Sequence, residues 1–434
     1  MSKKIYNWGM YPKVQADIFS ADTQGNISLP SSPFISRGLG RSYGDSPLAS
    51  TILDCTTRNK ILNFNSENGV IDCEAGVSLK QILETVVPHG WFLAVTPGTA
   101  NVTVGGAISA DVHGKNHFAR GTFSNHIIEM NVQLASDEMM SCSEKNNCEL
   151  FDGICGGMGL LGFIVSAKIQ LQKISSAYFV ERTAHTNNIS SLLKMTMENT
   201  EEFCVAWMNT YSDNHEGVLF TGHHATEDET KKIPAADLFK VNKESKWSVP
   251  FVFPIAAMNR FTMKRFNKMY RRKNAEGEKL KHYGAFHYPL DGLQNWNRLY
   301  GPKGMLQYQF VLPDENAEAG ITEIFRMMKK ENCESYLAVL KRFGEEKRLL
   351  SFPMRGICVA LDFPVSEKVF ALMNKMDEVV VRTKGRFYLA KDARLSRDVF
   401  LKTQPRVEEF LALKKKLDPQ NKFSSLQSKR LLGV

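Results

Sequence analysis

Three glycine-rich stretches carry the most specific chemistry in this sequence. The first is Ser36-Arg37-Gly38-Leu39-Gly40-Arg41-Ser42-Tyr43-Gly44-Asp45-Ser46. Glycine removes the Cβ that would keep an anion off the backbone, so such a loop can turn its N–H groups towards a phosphate. Arg41 and Ser42 add side-chain donors. The spacing is neither G-x-G-x-x-G nor G-x-x-x-x-G-K-[ST], which sets aside a Rossmann turn and a P-loop. The second stretch runs Thr96-Pro97-Gly98-Thr99, Thr103-Val104-Gly105-Gly106-Ala107 and Ala110-Asp111-Val112-His113-Gly114-Lys115-Asn116-His117. The third is Gly156-Gly157-Met158-Gly159-Leu160-Leu161-Gly162. One such turn reads equally well as a tight structural loop. Three of them lose much backbone entropy on folding unless ligand contact or close packing recovers it. Together they fit an extended cofactor with a pyrophosphate, touched by separate loops. His113, His117 and His126 have no acidic or cysteine partner at ligand spacing, so no metal site is expected.

The elements that must hold these loops are short. Ile61–Phe64 and Gly69–Cys73, joined by Ser66-Glu67-Asn68, predict a hairpin. Val77–Val87 predicts a helix, capped by Ser78 and ended by Pro88-His89-Gly90. Strands are expected at Phe92–Val95, Ile127–Ala135 and Phe163–Leu171. The middle of the chain has longer alternating strands, Leu306–Leu312 and Gly356–Phe363, with helices over Ile321–Glu331 and Glu367–Arg382. Leu395–Lys416 reads as an amphipathic helix divided by Pro405. The pattern is α+β rather than a regular βαβ repeat.

A chain of 434 residues, 43% hydrophobic and 23% charged, has room for two or three domains. The start has no apolar signal region and no apolar run is long enough for a membrane span. The eight cysteines form no C-x-x-C pair, so reduced thiols in a cytoplasmic protein are expected. Charge is concentrated: Arg260 to Tyr283 holds nine Lys/Arg against Glu276 and Glu278, a net +7 of the chain's +9. Just before it, Trp247–Met258 is apolar but broken by Pro250 and Pro254. An apolar stretch beside a cationic one suits an anionic bilayer surface; a solvated loop over a pocket is the plainer reading. No zinc-finger, RNP or basic heptad pattern supports nucleic-acid binding.

The order of the three glycine-rich stretches resembles that of the FAD oxidoreductases of the vanillyl-alcohol oxidase and para-cresol methylhydroxylase superfamily. Within it, Gly38-Leu39-Gly40-Arg41-Ser42-Tyr43-Gly44-Asp45, Val102-Thr103-Val104-Gly105-Gly106-Ala107-Ile108, His113-Gly114-Lys115-Asn116-His117 and Ala390-Lys391-Asp392-Ala393-Arg394 are similar to the decaprenylphosphoryl-β-D-ribose oxidase family. The likeness runs from Asn7-Trp8-Gly9 to Leu431-Leu432. It implies a two-domain FAD-binding fold with an antiparallel-sheet substrate domain. An FAD domain would occupy residues 1–175, a substrate domain 176–385, and residues 386–434 would return to the FAD domain.

The resemblance also implies roles. FAD would be held by Arg37, Gly38, Leu39, Gly40, Arg41, Ser42, Tyr43, Gly44 and Asp45, by Gly98, Thr99, Thr103, Val104, Gly105 and Gly106, and by Ala110, Asp111, Val112, His113, Ile164 and Tyr388. The first loop contains no histidine, so FAD would be non-covalent. Lys391 and His113 would be catalytic, supplying positive charge or taking a hydroxyl proton. Lys115, His287, Arg298, Gln307, Gln309, Lys341, Phe343, Cys358, Ala360 and Lys391 would line the substrate cavity. Three positions depart from the family: Ala360 stands where it has its active-site cysteine, Cys358 where it has an asparagine, and His287-Tyr288 where it has Tyr-His. The implied reaction is oxidation of a polyprenylphosphoryl-β-D-ribose at its 2′-hydroxyl, with a short-chain NAD(P)H-dependent reductase completing an epimerisation in cell-envelope precursor synthesis. The implied location is cytoplasmic, peripheral at the inner membrane face. A soluble sugar or aldonolactone oxidase of the same superfamily is the alternative.

Overall fold

The computed structural model describes residues 2–22, 27–243, 245–254 and 257–434. Two larger sheets and one two-stranded pair make up the first part of the chain. One has four strands in the order Lys3–Ile5, Val14–Ser20, Thr51–Asp54, Ile35–Arg37, the last three parallel to one another. The other is antiparallel, in the order Ile61–Asn65, Val70–Glu74, Phe163–Gln170, Ile127–Gln133, Met139–Cys142. The expected hairpin pairs Phe64 with Ile71 and Asn65 with Val70. The expected helix runs Leu79–Val86, where Ser78 and Gln81 cap each other's backbone and left-handed Gly90 closes the following turn. Phe92–Val95 does not extend as a strand. Only Trp91–Phe92 pairs, with Gln172–Lys173, and the chain then leaves the sheet towards Pro97-Gly98.

The remainder is built on one eight-stranded antiparallel sheet. Its order is Gly277–His282, Tyr178–Thr186, Gly217–His224, Phe203–Met208, Ala338–Phe343, Gly356–Pro364, Met305–Leu312, Arg386–Phe387. Helices Ile189–Glu198, Asp314–Lys330 and Glu367–Arg382 pack on it. The middle helix begins seven residues before the apolar run that predicted it, because Asp314 and Glu315 favour its first turn. Phe310, Leu340, Val359 and Leu361 are fully buried in this layer. Each contributes roughly 1.5–3 kcal/mol by leaving water.

Side chains alternate across a strand, so the other face of the same strands is fixed too. Register places Gln307 beside Asp362, Gln309 beside Ala360, and Lys341 beside Cys358. Further along, Val205, Trp207, Val218 and Phe220 form an apolar patch covered by Tyr270. Tyr270 belongs to the helix Arg260–Lys273, the basic segment. The apolar run before it, Trp247–Met258, lies partly outside the described residues.

The C-terminal helices Arg397–Thr403 and Val407–Leu417 flank Pro405 as expected. They return the chain to the first part. Phe423 packs against Phe34, with ring centres 5.0 Å apart. Buried Lys414 donates to Leu160 O and Phe423 O at 2.8 Å each and to Asp418 at 2.5 Å, so its charge is fully hydrogen-bonded. Among the described residues no helix is long and apolar enough to cross a membrane.

Candidate active site

The first glycine-rich loop follows the strand Ile35–Arg37 and is pinned from three sides. Gly38 lies so close to Thr103 that a Cβ there would collide with it, which joins the first loop to the second. A Cβ at Gly44 would strike the carbonyl of Asp392, which seats the loop on the turn after Tyr388. Tyr43 N donates to Ala390 O at 3.0 Å. Asp45 forms a two-bond ion pair with Arg430, which also reaches Asp392 at 2.8 Å. Arg37 bonds Tyr6 O and Asn7, and the Arg41 guanidinium lies 4.4 Å over the Trp8 ring. Among the described residues the amides of Gly38 to Ser42 meet no protein acceptor, and the buried Ser36 hydroxyl has no partner. Unpaired backbone donors grouped in one loop are what a pyrophosphate requires.

In the second stretch Thr103 caps the short helix Val104–Ser109, accepting from Gly106 N at 3.2 Å. Gly105 packs on Ala75. The Pro97-Gly98-Thr99 turn is tied to the loop after His287: Thr96 bonds the Tyr288 hydroxyl at 2.7 Å, and Ala100 N donates to Asp291 at 3.0 Å. Asp111 has φ +39° and its carboxylate is committed to Ser124 N and Ser351. Its side chain therefore staples the loop.

His113 stands where the second stretch meets the sheet. Its ring lies among Phe343, Tyr388 and Phe352, at 4.7, 5.1 and 5.6 Å between centres. Gln309 Nε2 donates to His113 Nε2 at 3.0 Å and to Cys358 Sγ at 3.3 Å. With the amide so oriented, His113 accepts at Nε2 and carries its proton on Nδ1, which is buried without a partner. Burial first, then the nearby Lys341, His117 and Lys391, hold His113 neutral far below its ordinary range. Tyr388 donates to Ala110 O at 3.0 Å and stacks on Phe352.

Lys391 is partly buried, its ammonium 3.8 Å above the Tyr43 ring. A surface pair with Asp392 is not formed. Asp392 accepts from Arg394 N, Leu395 N and Arg430 instead, folding the turn that presents Lys391. Burial lowers the Lys391 pKa to about 7, opposed by Asp362 and reinforced by Lys341. Lys115 is pushed down to about 7 as well, by burial and then Lys341; it donates to Phe286 O. Burial also lowers Lys341. Cys358 is buried and its thiol is pushed up to about 12, so it offers no thiolate.

The structure therefore gathers His113, Gln307, Gln309, Lys341, Phe343, Cys358, Ala360, Tyr388 and Lys391 around one cleft. Val104, Val112 and Ile164 are buried in the main core. His287 and Arg298 lie elsewhere. His287 is buried among Phe92, Phe179 and Phe203, behind Lys115. Arg298 donates to Val249 O and Pro250 O and so anchors the start of the apolar segment. Sequence reasoning missed Asp362, Phe352 and Tyr300. Asp362 was within reach, two residues beyond Ala360 on a strand of period two.

Comparison with known proteins shows the family. Residues 30–143 match the FAD binding domain family. The chain is 33% identical over 99% of its length, and 97% of the relative's, to decaprenylphosphoryl-beta-D-ribose oxidase of Mycolicibacterium smegmatis. The chain belongs to the decaprenylphosphoryl-β-D-ribose oxidase family. It is an FAD-dependent oxidoreductase of the α+β, two-domain FAD-binding type. It is also similar to L-gulonolactone oxidase of Bos taurus, at 22% identity over 89% of this chain and 87% of that one. A D-lactate dehydrogenase of Archaeoglobus fulgidus matches at 30% identity over 31% of each chain.

Proposed function

We propose that this member of the family oxidises the 2′-hydroxyl of a polyprenylphosphoryl-β-D-ribose to the 2′-keto sugar, the first half of an epimerisation to the arabinose form. The observation that carries the reading is the convergence of Lys391, Lys341, His113 and Gln309 on one cleft facing the glycine-rich loops. FAD fits the first part of the chain, residues 1–175: the free amides of Gly38–Ser42, the Ser36 hydroxyl and the joined Gly38–Thr103 and Gly105 turns would hold it. Bound there without a covalent link, it supplies the acceptor for the hydride leaving the carbinol carbon.

The chain's residues divide the remaining work. His113 is a poor base, because Gln309 occupies its Nε2 lone pair and burial opposes its charge. Lys391, with a pKa near 7, is substantially neutral at neutral pH and accepts the hydroxyl proton. The ammonium so formed offsets negative charge appearing in the cleft. Gln309 and Phe343 fix the His113 ring, and Lys341 adds a second cation for an anionic substrate. Ala360 offers no thiol, so the family's cysteine has no part in this protein's chemistry.

A lipid-linked substrate resides at a membrane, and the helix Arg260–Lys273 suits that surface. It buries Met263 and Asn267 and turns Phe261, Arg265, Lys268, Met269 and Arg272 outward. Phe261 is 70% exposed and Met269 58%, and nearby Trp247 is 78% exposed. Apolar side chains among cations, with no acidic residue on the helix, match an anionic bilayer. This reading places the protein peripherally on the inner face, with a short-chain NAD(P)H-dependent reductase as the consumer of its keto product. Incubating the FAD-loaded protein with a defined polyprenylphosphoryl ribose and an electron acceptor should give a product lighter by two hydrogens that borodeuteride relabels at C2. Relabelling at another carbon, or unchanged lipid, would contradict the assignment.

A further inference from the structure

We propose that Asp362 is a positioning residue that acts through Lys391: its buried carboxylate, held by Gln307 beside the Tyr43 and Tyr300 hydroxyls, sets how firmly Lys391 holds a proton. The inference rests on the reading above that Lys391 takes the substrate's hydroxyl proton.

Asp362 is 1% exposed, on the cleft face of the strand Gly356–Pro364. Gln307 Nε2 donates to Asp362 Oδ1 at 2.6 Å. Oδ2 is buried with no hydrogen-bond partner among the described residues. The Tyr300 hydroxyl, buried close by, also lacks one. A carboxylate left half-satisfied in an apolar setting is costly unless a cation answers it. Arg58, Arg348, Arg394 and Arg430 each answer carboxylates by direct contact in this fold. Asp362 has no such contact among the described residues; Gln307, which holds it, lines one small cavity with Lys391, whose charge favours the carboxylate. Tyr43 links the two: Lys391 lies over its ring, while Gln307 and Trp8 lie against its hydroxyl.

The charged and titratable groups around Lys391 are few. Tyr43 comes from the first glycine-rich loop, His113 from the second, Lys341 from the neighbouring strand, and Cys358 with Asp362 from the strand below. Asp392 is bound to Arg430. Cys358 is a neutral thiol and His113 a neutral ring, so Asp362 is the negative group that opposes Lys341 and burial. Burial pushes Asp362 itself up to about 7, against Gln307 and Lys391, which places both members of the pair in the same pH range. In the reaction the substrate O–H bond breaks and an N–H bond forms at Lys391, while FAD held by the glycine-rich loops would accept the C–H hydride. An anionic Asp362 makes that N–H bond more favourable.

The test reads the proton on Lys391 directly. In holoprotein carrying 13C-methylated lysines, the Lys391 resonance is assigned by its loss in Lys391→Met and followed against pH. Asp362→Asn keeps the shape and removes the charge, and should lower the Lys391 titration by about one pH unit or more. Gln307→Ala should move it the same way by less, because an unsupported carboxyl keeps its own proton to higher pH. If Asp362→Asn does not fold or loses FAD, Gln307→Ala decides by the same signal. A Lys391 titration unchanged or raised in the variants would overturn the inference. The reading of Lys391 as proton acceptor is tested separately: the pH at which flavin reduction rises should follow the titration in each protein. A titration that moves while the rate profile stays fixed would spare Asp362 and remove Lys391 from proton transfer.

Discussion

At the scale of single residues, Lys391 is the proposed proton acceptor, and the fold denies it an ordinary partner. Asp392 is consumed by the turn and by Arg430, so the ammonium is left over Tyr43 with its pKa lowered by burial. Lys391→Ala should retain FAD, since the unpaired amides of Gly38–Ser42 and the Gly105 turn that would hold it are left in place. Its single-turnover flavin reduction should fall on the order of a hundredfold or more, the usual contribution of a positioned proton acceptor or charge. Stopped-flow absorbance measures both at once, and reduction near the wild-type rate would make the lysine an onlooker. Residue types and order made the glycine-rich loops legible from sequence. The partners were not legible: that Asp111 and Asp45 serve Ser351 and Arg430 depends on residues hundreds of positions away.

At the scale of elements, strand register does most of the positioning. Period two puts Gln307 and Gln309, then Cys358, Ala360 and Asp362, on one face, and a one-residue slip would bury all of them in the helix layer. Strong alternation made the strands Met305–Leu312 and Gly356–Pro364 readable. The helix Arg260–Lys273 was readable only as charge, because its apolar residues are spread around it and few face the sheet. Its geometry separates two kinds of cation. Arg271 turns inward to Thr186 O and Gly217 O at 3.0 and 2.9 Å, whereas Arg265, Lys268 and Arg272 face outward. Replacing those three with Gln should weaken sedimentation with anionic vesicles at low salt and leave FAD content unchanged. Each contributes about 1 kcal/mol, screened by salt. Equal sedimentation of wild type and variant at low and high salt would remove the membrane role.

A second element-scale prediction concerns the aromatic layer behind Lys115. His224 packs against Phe179, with ring centres 4.0 Å apart, and neither of its ring nitrogens has a partner among the described residues. Burial lowers its pKa from 6.5 to about 3. The unfolded chain therefore binds a proton that the folded chain refuses between those values. Stability from this group is complete above pH 6.5 and is lost as pH falls towards 3. His224→Phe should flatten the fall in Tm between pH 6.5 and 4. An equally steep fall in the variant would show that other groups control acid unfolding.

At the scale of the whole molecule, the chain closes on itself to make the site. The final helix, Leu426–Leu431, binds the first glycine-rich loop through Arg430 and Asp45, and the turn carrying Lys391 lies between them. Phe34 and Phe423 fasten the same return. The likeness to the M. smegmatis oxidase spans nearly the full length and so includes this return. The proposed substrate side is the sheet, where Ala360 and Cys358 depart from the family pattern. The most direct measurement is anaerobic bleaching of the bound flavin by defined compounds at equal concentration. Polyprenylphosphoryl-β-D-ribose should reduce the flavin rapidly, with the arabinose epimer, free ribose and L-gulonolactone far slower. Fast reduction by the lactone with none by the lipid-linked ribose would contradict the account.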